Sequence, residues 1–330
     1  EIDLRSEQNW SWQEGAPYQT FLREVWERDS QAAAGDPSTR SRWVHLFLNG
    51  QYWGLYMLKD RPTAGYATSL WGGSVADYDV IKHADDFGYE TQDGDDDEWR
   101  SLWAAIADGK VSDSEFAMIN TEVDLRNLVD FQVLHAVAGN LDATPDYNQG
   151  DRTGNNWYAV RGNGEPFRFF VDDAEHTMGA RFRNSTYDRT GPFPITVANN
   201  RWREHFFNPG WLHQVLLVTR AEYRILMRDR VHLLLSDSGA LDTANSTARW
   251  AARQAEVDPL VIAEAARWGD SSGTAFTRAT WSAEVQWVID NWLPVRTNIV
   301  RAQLEADTWW VAGIGTADAG YAPAVRVGAG

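Results

Sequence analysis

Between Trp43 and Leu58 apolar and polar residues alternate, with Val44, Leu46 and Leu48 before Asn49-Gly50 and a second run from Tyr52 to Leu58 after it. A period of two marks a strand with one buried face. A two-residue Asn-Gly link favours a type I′ turn, because both of its residues need positive φ. The pattern predicts a β-hairpin. Ahead of it, Phe21, Leu22, Val25 and Trp26 recur at helical spacing between Pro17 and Ala34, and Gly35 with Pro37 supplies the stop. Residues 1–16 are aromatic and polar, with no period. After Gly72-Gly73 the run Tyr78 to Ile81 reads as a short strand.

Beyond Trp99 the period changes. Segments near 98–108, 113–120 and 124–138 repeat apolar residues every three or four positions, and Asp124 can cap the third. Residues 157–171 read as a pair of strands. From Arg183 to Gly210 the chain is dotted with Pro, Asn and Gly and reads as a long loop, a kind of segment that is often functional. Helices are predicted near 221–236, 243–255, 259–268 and 280–305, the last interrupted at Pro294. Residues 311–330, rich in Gly and Ala, read as a linker or the start of a following module.

Composition narrows the function. A net charge of −17 argues against a nucleic-acid or anionic-membrane partner, since phosphate backbones are gripped by clustered Lys and Arg. The absence of cysteine removes disulfides, thiol nucleophiles and cysteine-bound zinc together. No run approaches the roughly 20 apolar residues of a membrane helix. The 18 Trp residues exceed the needs of a core, so some are expected to line a cleft or a sugar-binding face. The chain opens mid-pattern, as expected of a segment of a longer precursor. The acidic run Asp93 to Glu98 offers a Ca²⁺ loop or a solvated acidic turn; its spacing fails the EF-hand pattern, which favours the solvated turn.

Candidate chemistry gathers between Leu134 and Gly179. A helix-like run ends at Gly139-Asn140, Asp142 follows, and Asn155-Asn156 precedes one strand. A second strand delivers Asp172-Asp173-Ala174-Glu175. Acids and amides just past the ends of buried elements suit a hard divalent cation held against phosphates, because phosphoryl transfer needs positioning and charge more than covalent help. The same residues also read as turn and capping chemistry. Asp142, Asp173 and Glu175 equally offer the two carboxylates of a glycosidase. Zinc hydrolysis fits less well, with no His-Glu-x-x-His pair; His135 and His176 read as satisfied structural histidines.

Several short motifs carry a resemblance. Asn49-Gly50-Gln51-Tyr52-Trp53-Gly54-Leu55-Tyr56 resembles the "NGxYWGLY" hairpin of the CotH kinase family, named for a spore coat protein. Gly139-Asn140-Leu141-Asp142 with Asn156-Trp157-Tyr158 is similar to its "GNxD … NxY" segment, and Phe169 to Gly179 to its "WDxD … G" segment. Arg61-Pro62 and Ala266-Arg267-Trp268-Gly269 look like a bacterial branch of secreted or surface proteins.

The resemblance implies an α+β, two-lobed, atypical protein-kinase-like fold over residues 1–310, truncated at its N-terminal side. A smaller lobe would run to about residue 97 and a larger, mostly helical one from 98. It implies ATP, Mg²⁺ or Mn²⁺ as cofactors and Ser or Thr hydroxyls of a protein as acceptors. The setting would be extracellular, with surface or coat proteins or glycans as partners. Asp142 falls on the catalytic acid, Asn156 on the loop amide, and Asp173 and Glu175 on the metal-binding acids. Asn148 rivals Asn156, being nearer to Asp142 in sequence. Asp60 falls where many members carry Glu, and Asp172 replaces the usual Trp. Lys59 is the neighbouring nucleotide candidate, although its place at the hairpin end makes solvent the expected partner of its ammonium. A member that has lost transfer and serves in adhesion or assembly fits the same motifs.

Overall fold

A computed structural model describes residues 1–144, 154–180, 182–191, 202–307 and 310. Antiparallel strands β1 (Ile2–Arg5), β2 (Ser41–Leu48) and β3 (Gln51–Asp60) form a sheet in the order β1-β3-β2. The β2–β3 turn is the Asn49-Gly50 hairpin, with φ of 51° and 79° at its two residues. Helix α1 (Arg23–Ala33) precedes β2 and ends at Gly35, as the stop signals predict. β1 has no counterpart in the sequence reading. Its four residues alternate exposed and half-buried, too short a pattern to show a period.

Next come α2 (Ala64–Trp71), β4 (Tyr78–His83) and β5 (Tyr89–Asp93), then helices α3 (Asp97–Ile106), α4 (Asp113–Glu122) and α5 (Leu125–Ala138). Asp124 caps α5 by accepting the Asn127 N–H at 3.1 Å, and Gly139 closes it in the left-handed region, φ 60°. Strands β6 (Trp157–Gly162) and β7 (Glu165–Val171) follow. They join β4 and β5 in a second antiparallel sheet of order β5-β4-β6-β7. This sheet recruits strands from both sides of the expected division at residue 97, so that division does not follow the sheets.

The rest is helical: α6 (Pro209–Thr219), α7 (Ala221–Leu235), α8 (Thr243–Val257), α9 (Val261–Trp268), α10 (Arg278–Asn291) and α11 (Leu293–Ala306). Mixed helices and antiparallel sheets make the fold α+β. The stretch expected to be a loop up to Gly210 ends instead in α6, capped by Asn208 with Pro209 in its first turn. Pro294 likewise occupies the first turn of α11 and starts a helix as much as it breaks one. Residues 311–330 and Asn148 lie outside the described residues.

The larger of two hydrophobic clusters runs through both sheets and the helices, and a smaller one packs α2 against Tyr78, Val80, Tyr158, Val160 and Phe170. Trp12, Trp26, Trp99, Trp157, Trp250, Trp281 and Trp292 are fully buried in the larger, so these seven belong to packing and not to a sugar face. The hairpin is fixed by α9. Glu264 accepts the Leu55 N–H at 2.6 Å and the Tyr52 hydroxyl at 3.2 Å, and the Trp268 indole donates to the Trp53 carbonyl at 2.7 Å. A Cβ on Gly54 would stand 3.3 Å from Glu264 and 3.4 Å from Trp268. The aromatic hairpin motif and the Ala-Arg-Trp-Gly motif are therefore two halves of one contact, which orients the strand ending in Lys59.

Candidate functional site

Lys59 lies at the end of β3 with its side chain turned inward and only 3% exposed. Its ammonium donates to Glu24 of α1 at 2.9 Å and to Asp172, just past β7, at 2.7 Å. Solvent is not its neighbour, contrary to the sequence expectation. The hairpin end is covered by α1, whose acid is far away in the chain. Arg28, one helical turn after Glu24, reaches the same two carboxylates at 2.6 and 2.9 Å. Burial alone would push Glu24 up, but Lys59, Arg28 and Arg5 outweigh it and hold the carboxyl down at about 2. Against the same burial penalty, Lys59 and Arg28 keep Asp172 well below the usual carboxylate range.

Asp60 is not brought to this group. Neighbours in a strand point to opposite faces, and the Asp60 carboxylate meets Arg40 at 3.0 Å on the outer side. Asp172, given no role in the sequence reading, takes the place beside the lysine.

The second half of the site is built by two backbone attachments between segments that run in opposite directions. The Leu141 N–H donates to the His176 carbonyl at 3.1 Å and the Met178 N–H to the Ala138 carbonyl at 2.7 Å, which ties the loop after α5 to the segment after β7. Across this seam Asn156 donates from one nitrogen to the Asp142 carboxylate at 3.0 Å and to the Asp173 carbonyl at 3.3 Å. Asp142, Asn156 and the Asp173 backbone thus meet at a single atom. Asn156 and Asp173 both hold positive φ, 56° and 46°, a backbone state that costs energy outside glycine and collects at functional sites.

The Asp173 side chain forms an ion pair with Arg5 of β1. The same guanidinium reaches Glu175 at 3.3 Å and Glu24 at 3.5 Å. Asn9 donates to Glu175 at 2.7 Å and approaches His176 at 3.1 Å. Burial, with neighbouring acids adding to it, raises Asp173 to about 6 and Glu175 to about 8. One Glu175 oxygen, Oε2, is buried with no hydrogen-bond partner. An orphaned carboxylate oxygen beside a second crowded acid fits a hard cation, which takes oxygen ligands and offsets their charge.

Between the two sheets a pocket of about 220 Å³ opens, lined by Arg5, Lys59, Arg61, Lys82, His83, Tyr158 and Asp172 with Asp3 and Leu4. Four cations line it in a chain of net charge −17, and two of the chain's three lysines are among them. Burial lowers the His83 pKa and favours its neutral form. Glu24, Arg28, Arg5 and Lys82 were not singled out from sequence. The one available signal was the Glu24–Arg28 spacing, which reads equally as a solvated helix face.

In the acidic turn, Asp93 accepts the Ala64 N–H at 3.0 Å. Asp95 and Glu98, with Asp79 of β4, bring carboxylate oxygens within 4.8 Å of one another, and Glu98 is already paired with Arg161 at 2.8 Å.

No helix among the described residues is long and apolar enough to cross a membrane. No curated protein matches the chain. The family model described as CotH kinase protein matches residues 18–299, a span that encloses Glu24, Lys59, Asp142, Asn156, Asp172 and Asp173 and leaves Arg5 outside it. The chain belongs to the CotH kinase family.

Proposed function

We propose that this protein transfers phosphate from ATP to Ser or Thr hydroxyls of a protein substrate, with Mg²⁺ or Mn²⁺. The observation that carries this reading is Lys59, whose ammonium is fixed between Glu24 and Asp172 at the edge of a pocket lined by cations. Such a pocket suits a polyanion such as a triphosphate and suits a neutral sugar poorly, which weighs against the glycosidase alternative. Asp142 orients the acceptor hydroxyl, and its hydrogen bond from Asn156 keeps the carboxylate turned towards Asp173. Asp173, Glu175 and Asn156 would hold the metal, which supplies charge neutralisation for the phosphates. The sheet β1-β3-β2 with α1 then acts as a smaller lobe over a remainder that carries the second sheet and the other helices. The same reading sets the reaction outside the cytoplasm, as in the secreted branch whose motifs the sequence resembles.

Thermal unfolding with Mg-ATP or Mn-ATP tests it. A ligand that binds only the folded state stabilises by about 2.7 kcal/mol at a hundredfold excess over Kd. Stabilisation by nucleotide with metal is expected; none with nucleotide, but a clear one with glycan, would refute the kinase reading. One observation favours a second reading, a member without transfer activity: the Arg5 guanidinium already supplies Asp173 and Glu175 with a cation.

A further inference from the structure

Helix α1 carries a second buried acid. Glu27, one turn beyond Glu24 and fully buried, forms a hydrogen bond with Nδ1 of His135 on α5. Its other oxygen accepts from the Asn140 side-chain amide at 3.3 Å. Asn140 is itself fully buried, and its Oδ1 accepts the backbone N–H of Asp142 at 3.0 Å. Those two contacts fix the Asn140 amide one way round: nitrogen to the carboxylate, oxygen to the peptide. The His135 ring must carry its proton on Nδ1 to face a carboxylate.

We infer that Glu27 is a positioning residue for Asp142, acting through Asn140, so that helix α1 fixes both Lys59 and the catalytic acid. The inference rests on the proposed role of Asp142. Two turns of one helix hold the two halves of the site. Glu24 faces the lysine on β3, and Glu27 faces the loop that presents Asp142. A tilt of α1 displaces both together, whereas a change confined to the Glu27–Asn140 contact displaces only the loop that carries Asp142. Misplacing a reacting group by about 1 Å can cost on the order of 100-fold in rate, which is ample reason for a buried acid three contacts away from the hydroxyl to matter.

An exchange of polarity tests the link. Asn140→Asp sets two carboxylates against each other and should lower kcat about 100-fold, with the Kd for Mg-ATP unchanged because Lys59 is untouched. Adding Glu27→Gln restores a donor facing an acceptor, now reversed, and should recover kcat to within about 10-fold of wild type, since one hydrogen bond is worth about 1 kcal/mol. Recovery supports the link, as does a double variant that folds where the single one does not. A single variant with full kcat, or a double one that recovers neither fold nor rate, overturns it. Amide exchange at Asp142 gives a readout free of activity. It should speed up in Glu27→Ala and return to the wild-type rate in Glu27→Gln; an unchanged rate in Glu27→Ala overturns the link. Asp142→Asn serves as the reference: if it retains transfer, the assignment of Asp142 has failed, and the exchange rates alone judge Glu27.

Discussion

Replacing Lys59 by Met keeps the length of the side chain and removes its charge. The Lys59 side chain is 3% exposed, and its ammonium lies 2.9 Å from Glu24, which is fully buried, and 2.7 Å from Asp172. Breaking a buried pair by removing one partner costs about 3–5 kcal/mol, because the other charge is left uncompensated. Here Arg28 still touches both carboxylates, at 2.6 and 2.9 Å. The loss should therefore fall at the low end of that range, about 3 kcal/mol at pH 7. Urea unfolding of wild type and Lys59→Met measures it. The pH dependence has a definite sign. Glu24 is held down at about 2 in the folded protein, so its stabilisation is complete above its ordinary value near 4.5 and disappears as pH falls towards 2. The deficit of the variant should shrink across that window. A deficit below about 1 kcal/mol, the size expected of a solvated pair, would refute the reasoning, as would one that stays constant from pH 5 to pH 2.

Four further outcomes follow from the same geometry. Asp173→Ala should abolish metal-dependent nucleotide binding, and retained Mg-ATP affinity in a calorimetric titration would remove its assignment. Asp142→Asn should bind Mg-ATP almost as wild type does while losing transfer, read as phosphate incorporated into a protein acceptor; unfolding of that variant would instead mark the residue as structural. Gly139→Ala places a Cβ 2.5 Å from Trp292 at a φ of 60°. Adding about 1–2 kcal/mol for the left-handed backbone to about 1–3 kcal/mol for overpacking gives a destabilisation of about 2–5 kcal/mol in urea melts; a loss under 1 kcal/mol would contradict it. Burial raises Glu264 to about 7, although Leu55 and Tyr52 donate to it. A raised acid holds its proton more tightly when folded, so stability should fall as pH rises from about 4.5 to about 7. Glu264→Gln should remove up to about 3 kcal/mol of that slope, and an unaltered slope would show that Glu264 is not its source.

Local chemistry was legible where it acts through neighbours in the chain. The Asn49-Gly50 turn, the Asp124 cap and the Gly139 stop each depend on two or three adjacent residues, and each is found where the pattern predicts it. Short elements escaped for the converse reason. β1 has four residues, too few to establish a period against its flanks. Within the site, Asp142, Asn156 and Asp173 stood out because amides and acids follow buried elements. What did not show was the ion network. Glu24, Arg28 and Arg5 read as ordinary charged residues, and their burial comes from a strand and a loop more than 30 positions away for Lys59 and more than 140 for Asp172. For the same reason the sequence alone points the Lys59 ammonium to solvent, whereas it is buried against Glu24 and Asp172, and the neighbouring Asp60 faces Arg40 on the opposite side of the strand.

The most direct test of the account is a crystal structure with Mn²⁺ and a non-hydrolysable ATP analogue, read through the anomalous signal of the metal. The account expects the ion on the Asp173 carboxylate, the phosphates against Lys59 in the pocket between the sheets, and Arg5 withdrawn from Asp173. Metal and nucleotide bound elsewhere, or Arg5 still seated on Asp173 at saturating ligand, would contradict it.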